Sequence, residues 1–108
     1  MRVKPGVSLS NIVPQMVFAA QVYETACRRF VDNYEATITA GFDGVHMVGT
    51  LHSRDGICRA FDFRTKDYPG DKTELRNAVK NDLGADFDVV LEHEGKDQEH
   101  IHLEWDPK

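Results

Sequence analysis

From His100 to Trp105 the chain reads His-Ile-His-Leu-Glu-Trp, and polar and apolar side chains alternate at every step. A period of two belongs to a strand, because successive side chains of an extended chain point to opposite faces. His100, His102 and Glu104 therefore share one face, and Ile101, Leu103 and Trp105 the other. A chain that ends this way must build a sheet with one face buried in a core. The opposite face then presents two imidazoles and a carboxylate, and the rest of the sequence is read for their partners.

The remaining segments supply a small α+β frame. Ser10-Asn11-Ile12-Val13-Pro14 has the look of a helix start, with capping-type polar residues and then a proline in the first turn. Val13, Met16, Val17, Ala20, Cys27, Phe30 and Val31 follow at helical spacing, which predicts a long amphipathic helix; the residues before it read as a lead-in. Residues 34–40 are rich in β-branched side chains and read as a strand, broken by Gly41-Phe42-Asp43-Gly44. Residues 45–52 read as a loop or short extended piece, and residues 57–65 as a second strand. In that strand Phe61 and Phe63 point one way and Ala60, Asp62 and Arg64 the other. Asp71-Lys72-Thr73-Glu74 has capping-box spacing, Leu75, Ala78, Val79 and Leu83 form a short helical stripe, and Gly84 ends it. Residues 86–92 make a third strand, joined to the last by a polar hairpin loop. Helix, strand, strand, helix and a closing hairpin predict one domain over residues 1–108. Its fold class is α+β, a small antiparallel sheet with helices on one face. The open face carries Asp62, Glu92, His100 and His102.

A net charge of −5 argues against nucleic acid as a partner, since phosphate binding requires a basic surface. No apolar run has the length of a membrane span, and the N-terminus lacks the apolar stretch of a signal peptide. A monomer in the cytoplasm, without a membrane partner, is the expectation. Cys27 and Cys58 have no metal-type spacing and read as buried free thiols in a reducing compartment.

The open face has the residue types of a catalytic zinc site, which needs three protein ligands, a free position for water and a nearby carboxylate to take the water proton. His52, Asp62 and His102 are the candidate ligands, Glu92 the candidate base, and His100 a second polar group near the water. Glu94 and Glu99 are rivals for the base; alternation turns Glu99 toward the core, and Glu94 sits in the hairpin loop. His46 and His93 read as loop residues. The plainer reading makes His100 and His102 a solvated face and leaves Asp62 in surface contact with Arg64.

Thr50-Leu51-His52, the run from Cys58 to Thr65 with Asp62 in it, Phe87-Asp88-Val89-Val90-Leu91-Glu92 and His100-Ile101-His102 occur in this order. The combination spans about residues 36 to 106. It resembles the zinc peptidases of the D-Ala-D-Ala carboxypeptidase and phage endolysin type, whose fold is shared with the hedgehog signalling domain. The resemblance implies that His52, Asp62 and His102 bind zinc, that Glu92 is the general base and that His100 steadies the oxyanion or the water. It implies hydrolysis of a peptide bond in the stem peptide of peptidoglycan, by a carboxypeptidase or endopeptidase. A cytoplasmic endolysin awaiting release to the cell wall is one such protein. Nine residues separate His52 from Asp62, more than the family pattern has, and Cys58 stands where the family has glycine. The turn at residues 41–44 lacks the substrate-binding arginine of many members, leaving Arg54, Arg59 and Arg64 as substitutes. A non-catalytic zinc-binding module of the same fold is the alternative, and an unrelated α+β domain a third.

Overall fold

The structure, a computed structural model, describes residues 1–42 and 56–107. Its elements are β1 (Arg2–Val3), α1 (Pro14–Phe30), β2 (Thr37–Ala40), β3 (Ala60–Arg64), α2 (Lys72–Leu83), β4 (Phe87–Glu92) and β5 (His100–Trp105). The strands form one sheet in the order β1-β2-β3-β5-β4. The last strand is thus an interior strand, with β3 on one side and β4 on the other, both antiparallel to it.

The sheet is mixed rather than wholly antiparallel. The lead-in segment contributes β1, which pairs parallel with β2. Arg2 N–H donates to the Ala36 carbonyl at 2.7 Å and Lys4 N–H to that of Ile38 at 2.9 Å. The terminal ammonium and the Arg2 guanidinium both reach Glu35. A two-residue strand, exposed on both faces, has no alternation for sequence pattern to detect.

Both helices lie against the face bearing Phe61, Phe63, Ile101 and Leu103. Tyr23 of α1 stacks on Phe63 with ring centroids 4.0 Å apart. Leu75, Val79, Val89, Ile101 and Leu103 are fully buried, each contributing about 1.5–3 kcal/mol of transfer free energy. Arg29 of α1 bridges to Asp82 of α2 at 2.7 Å.

The start of α1 differs from the sequence expectation, and its buried face agrees with it except at two residues. Val13 is the N-cap and makes no side-chain cap; Pro14 opens the helix, where its missing N–H is harmless. Asn11 takes a positive φ of 54° and Ile12 instead forms a parallel bridge to Cys58. Met16, Ala19, Ala20, Tyr23, Ala26 and Cys27 face the core, whereas Val17 and Phe30 are exposed. Val13 and Val31 pack against the same core, so five of the seven residues of the expected stripe lie on the contact face, and Ala19, Tyr23 and Ala26 complete it.

The second helix follows its sequence signals. The Asp71 carboxylate accepts from Glu74 N–H at 2.8 Å, and Gly84 closes the helix with φ 84°. Gly41, at the end of β2, packs so closely that an added Cβ would lie 2.5 Å from the Ser8 carbonyl oxygen. The cysteines are free and buried, and burial pushes the Cys27 thiol up to about 12. No helix among the described residues is long and apolar enough to cross a membrane.

Candidate functional site

The strand alternation that buries Ile101 and Leu103 turns His100, His102 and Glu104 to the face away from the helices. Their neighbours follow from register. On β3, Asp62 lies opposite His102 and Arg64 opposite His100. On β4, Glu92 lies opposite His100, Val90 opposite His102 and Asp88 opposite Glu104. Four of the five residues singled out in the sequence, Asp62, Glu92, His100 and His102, therefore meet on three adjacent strands. The fifth, His52, lies outside the described residues, as do His46 and Arg54.

His102 is held at both ring nitrogens. Nδ1 donates to Asp62 Oδ1 at 2.8 Å and Nε2 to Glu104 Oε1 at 2.7 Å. Asp62 is buried and His102 largely so. Burial alone would lower the imidazole pKa; the hydrogen bonds and charges of Asp62 and then Glu104 outweigh it and raise it to about 9. In this arrangement His102 carries both protons. Glu104 is the partner that sequence reading assigned no role, although alternation already placed it on the right face.

His100 forms a second pair. Its Nε2 lies 3.0 Å from Glu92 Oε1 and 3.7 Å from Asp62 Oδ1, and its Nδ1 is 2.7 Å from the Gln98 carbonyl oxygen. The two pairs thus adjoin at Asp62. The Glu92 side chain is less covered, 43% exposed, so it meets both His100 and solvent.

The two rival carboxylates lie apart from this pair in different settings. Glu99 is buried, with Oε1 2.6 Å from Lys72 Nζ and Thr65 Oγ1 and Oε2 accepting from Gly95 N–H. Glu94 and His93 are exposed in the turn between β4 and β5. Of the arginines, Arg59 lies over the Trp105 ring at 5.3 Å, whereas Arg64 shares the Asp62 face.

The donor set suits a zinc ion in part. A buried carboxylate and an imidazole approach to 2.8 Å, and donors around a tetrahedral zinc stand roughly 3.3 Å apart. Exchanging the His102 Nδ1 proton for a metal needs only a small opening of that pair. The Nε2 contact to Glu104 is the carboxylate support common behind a metal-binding histidine. Among the described residues, Asp62, His100, His102 and Glu92 do not form a group of three ligand atoms within 4.8 Å; Asp88, Glu104 and Asp106 do. Those three carboxylates are half-buried at the Trp105 end of the hairpin, and carboxylates cluster so without a metal. No protein-family model, no curated protein and no solved structure matches this chain.

Proposed function

We propose that this chain is a zinc-dependent peptidase acting on the stem peptide of peptidoglycan, with the fold of the D-Ala-D-Ala carboxypeptidase and endolysin group. The observation that carries the reading is the junction at Asp62, where a buried carboxylate–imidazole pair adjoins an accessible Glu92–His100 pair. The α+β frame, with helices behind the sheet and the polar residues in front, is compatible with it.

Asp62 and His102, with His52, would hold the metal. Zinc in such a site acts as a Lewis acid and brings the pKa of a bound water to about 7. Glu92 takes the proton of the attacking water and delivers it to the leaving amine. His100 orients Glu92 through its Nε2 while the Gln98 carbonyl holds its Nδ1.

Metal analysis of the purified protein, with a cleavage assay on stem peptides, tests the reading. One zinc per chain is expected, with activity reduced at least about 100-fold by Glu92→Ala, in keeping with loss of a general base. Full activity in that variant or in metal-free protein overturns it. The long His52–Asp62 spacing favours a second reading, a zinc-binding module without catalysis. Metal-bound protein that leaves purified wall and stem peptides intact would be its signature.

A further inference from the structure

The sheet has β4 as one outer strand and β1 as the other, six residues against two. An outer strand of that length offers a row of backbone N–H and C=O groups to which another chain can pair. On β4 the direction of each group follows from two bonds. The Asp86 carbonyl accepts from Asp106 N–H at 2.8 Å, on the side of β5, whereas Phe87 N–H donates to the Gly84 carbonyl at 3.3 Å, on the other side. Neighbouring residues of an antiparallel strand alternate in direction, so Phe87, Val89 and Leu91 present their backbone groups to the outer edge.

Two of those three carbonyls are already taken. Arg76 Nε donates to the Val89 carbonyl at 2.8 Å and Lys80 Nζ to the Phe87 carbonyl at 2.5 Å. Both cations come from α2, four residues apart, which is about 6 Å along a helix. Alternate residues of a strand stand about 6.8 Å apart, so one turn of the helix matches one outward step of β4. The helix runs opposite to the strand, and the later residue of α2 meets the earlier residue of β4. Lys72 is the next cation of this row, on the side of Leu91, but its Nζ lies 2.6 Å from Glu99 Oε1. The row of donors therefore ends at Val89. Arg76 and Lys80 are both half-buried against the strand.

We propose that Arg76 and Lys80 seal the outer edge of β4 against strand addition, and that the partner they exclude is a second copy of this chain. The edge is self-complementary. Two copies set antiparallel about Val89 place Phe87 of one opposite Leu91 of the other, and each outward carbonyl then meets an N–H of the second strand. With the seal closed, the Phe87 and Val89 carbonyls are occupied. A second copy would also bring its own Arg76 and Lys80 to the same seam, where like charges repel. The seal stands apart from the zinc reading, since both cations belong to α2, behind the sheet face that carries Asp62.

Analytical ultracentrifugation of the full chain carrying Arg76→Met and Lys80→Met, beside the wild type, tests the seal. Methionine keeps an unbranched apolar stem and removes the donor. The wild type is expected to sediment as a monomer. The double variant should dimerise, with a dissociation constant at least about tenfold below any seen for the wild type, because two charge-assisted bonds no longer compete for the edge. Amide hydrogen exchange locates the contact: Val89 and Leu91, whose N–H groups face outward, should exchange several-fold more slowly in the dimer. Lys80→Arg keeps a donor at Phe87 and should remain a monomer. Where the double variant loses its fold, Lys80→Met alone carries the same two readouts. A well-folded variant that stays monomeric overturns the proposal. So does a dimer in which the Val89 and Leu91 amides exchange as fast as in the monomer, or a wild type that already pairs through β4.

Discussion

Asp62 and His102 are register partners on neighbouring strands, and Oδ1 of the one lies 2.8 Å from Nδ1 of the other. In the metal-free protein this pair, with Glu104, keeps the imidazole charged up to about pH 9, against an ordinary value of 6.5. A histidine whose folded pKa is raised adds stability that is fully present below the unfolded pKa and lost as pH rises through the folded one. The metal-free protein is expected to lose stability between about pH 6.5 and pH 9 from this source. Asp62→Asn should flatten that segment of the curve and return the His102 titration toward its ordinary range. Urea melts at pH 6 and pH 9.5, with an imidazole titration by NMR, check both. An unchanged His102 titration in Asp62→Asn would contradict the pairing.

Glu104 fixes the other nitrogen of His102 at 2.7 Å. With Nε2 anchored, Nδ1 is the atom left to exchange its proton for a metal. Glu104→Gln keeps the shape and weakens the anchor, so zinc affinity should fall about 10–100-fold while the fold persists. Because binding displaces a proton from a group that titrates near pH 9, affinity should fall up to about tenfold per pH unit below that value. Competition against a chromophoric chelator at pH 6, 7 and 8 measures both effects. Wild-type affinity in the glutamine variant would remove Glu104 from the site.

The arrangement was legible in sequence only where a local pattern reports it. Alternation placed His100, His102 and Glu104 on one face and turned Glu99 to the other, and the Asp71–Glu74 spacing located α2. Contacts between strands distant in sequence leave no such mark. Asp62 and His102 are forty residues apart, and nothing local says that β5 inserts between β3 and β4 instead of lying at an edge. Glu104 had its position but no visible partner for the same reason. β1 was missed because two exposed residues are too few for a period. On α1 the stripe was legible at Met16, Ala20 and Cys27, whereas its Val17 and Phe30 are exposed and Ala19, Tyr23 and Ala26 complete the buried face.

Glu99 ties the β4–β5 turn to the start of α2 through Lys72, and to the end of β3 through Thr65. Burial alone would raise its pKa; Gly95 N–H, Lys72 and Thr65 outweigh it and hold it at about 2, below the ordinary 4.5. A depressed carboxylate adds stability above the unfolded pKa, lost as pH falls through the folded one, so this contribution fades between about pH 4.5 and pH 2. Glu99→Ala leaves Lys72 partly buried without its carboxylate and should cost about 2–4 kcal/mol at neutral pH. Acid titration of stability should also lose its steepest segment. The turn that Glu99 anchors carries Gln98, whose carbonyl holds His100 Nδ1 at 2.7 Å. The His100 ring resonances should therefore broaden or shift in the variant, and a variant as stable as the parent would refute the anchoring role.

Gly41 is required by close approach and not by backbone freedom. A Cβ there would stand 2.5 Å from the Ser8 carbonyl oxygen and 3.2 Å from Leu9 Cδ2. The same Ser8 oxygen accepts from Phe42 N–H at 2.9 Å, so the two segments cannot separate without losing that bond. The obstacle is backbone rather than the end of a flexible side chain, which leaves little room to yield. Gly41→Ala should lower stability by about 1–3 kcal/mol, the range for forced overpacking. The disturbance reaches the site through the chain that follows Ser8. Asn11 and Val13 bond to Cys58 by backbone, with Cys58 N–H donating to Asn11 O at 2.8 Å and Val13 N–H to Cys58 O at 3.1 Å. Cys58 leads directly into β3 and so toward Asp62. Denaturant melts of Gly41→Ala should show a lower midpoint with an unchanged slope, and the Asp62–His102 pair should report the shift as a lowered His102 pKa. A parental midpoint would mean that the Ser8 segment moves aside freely.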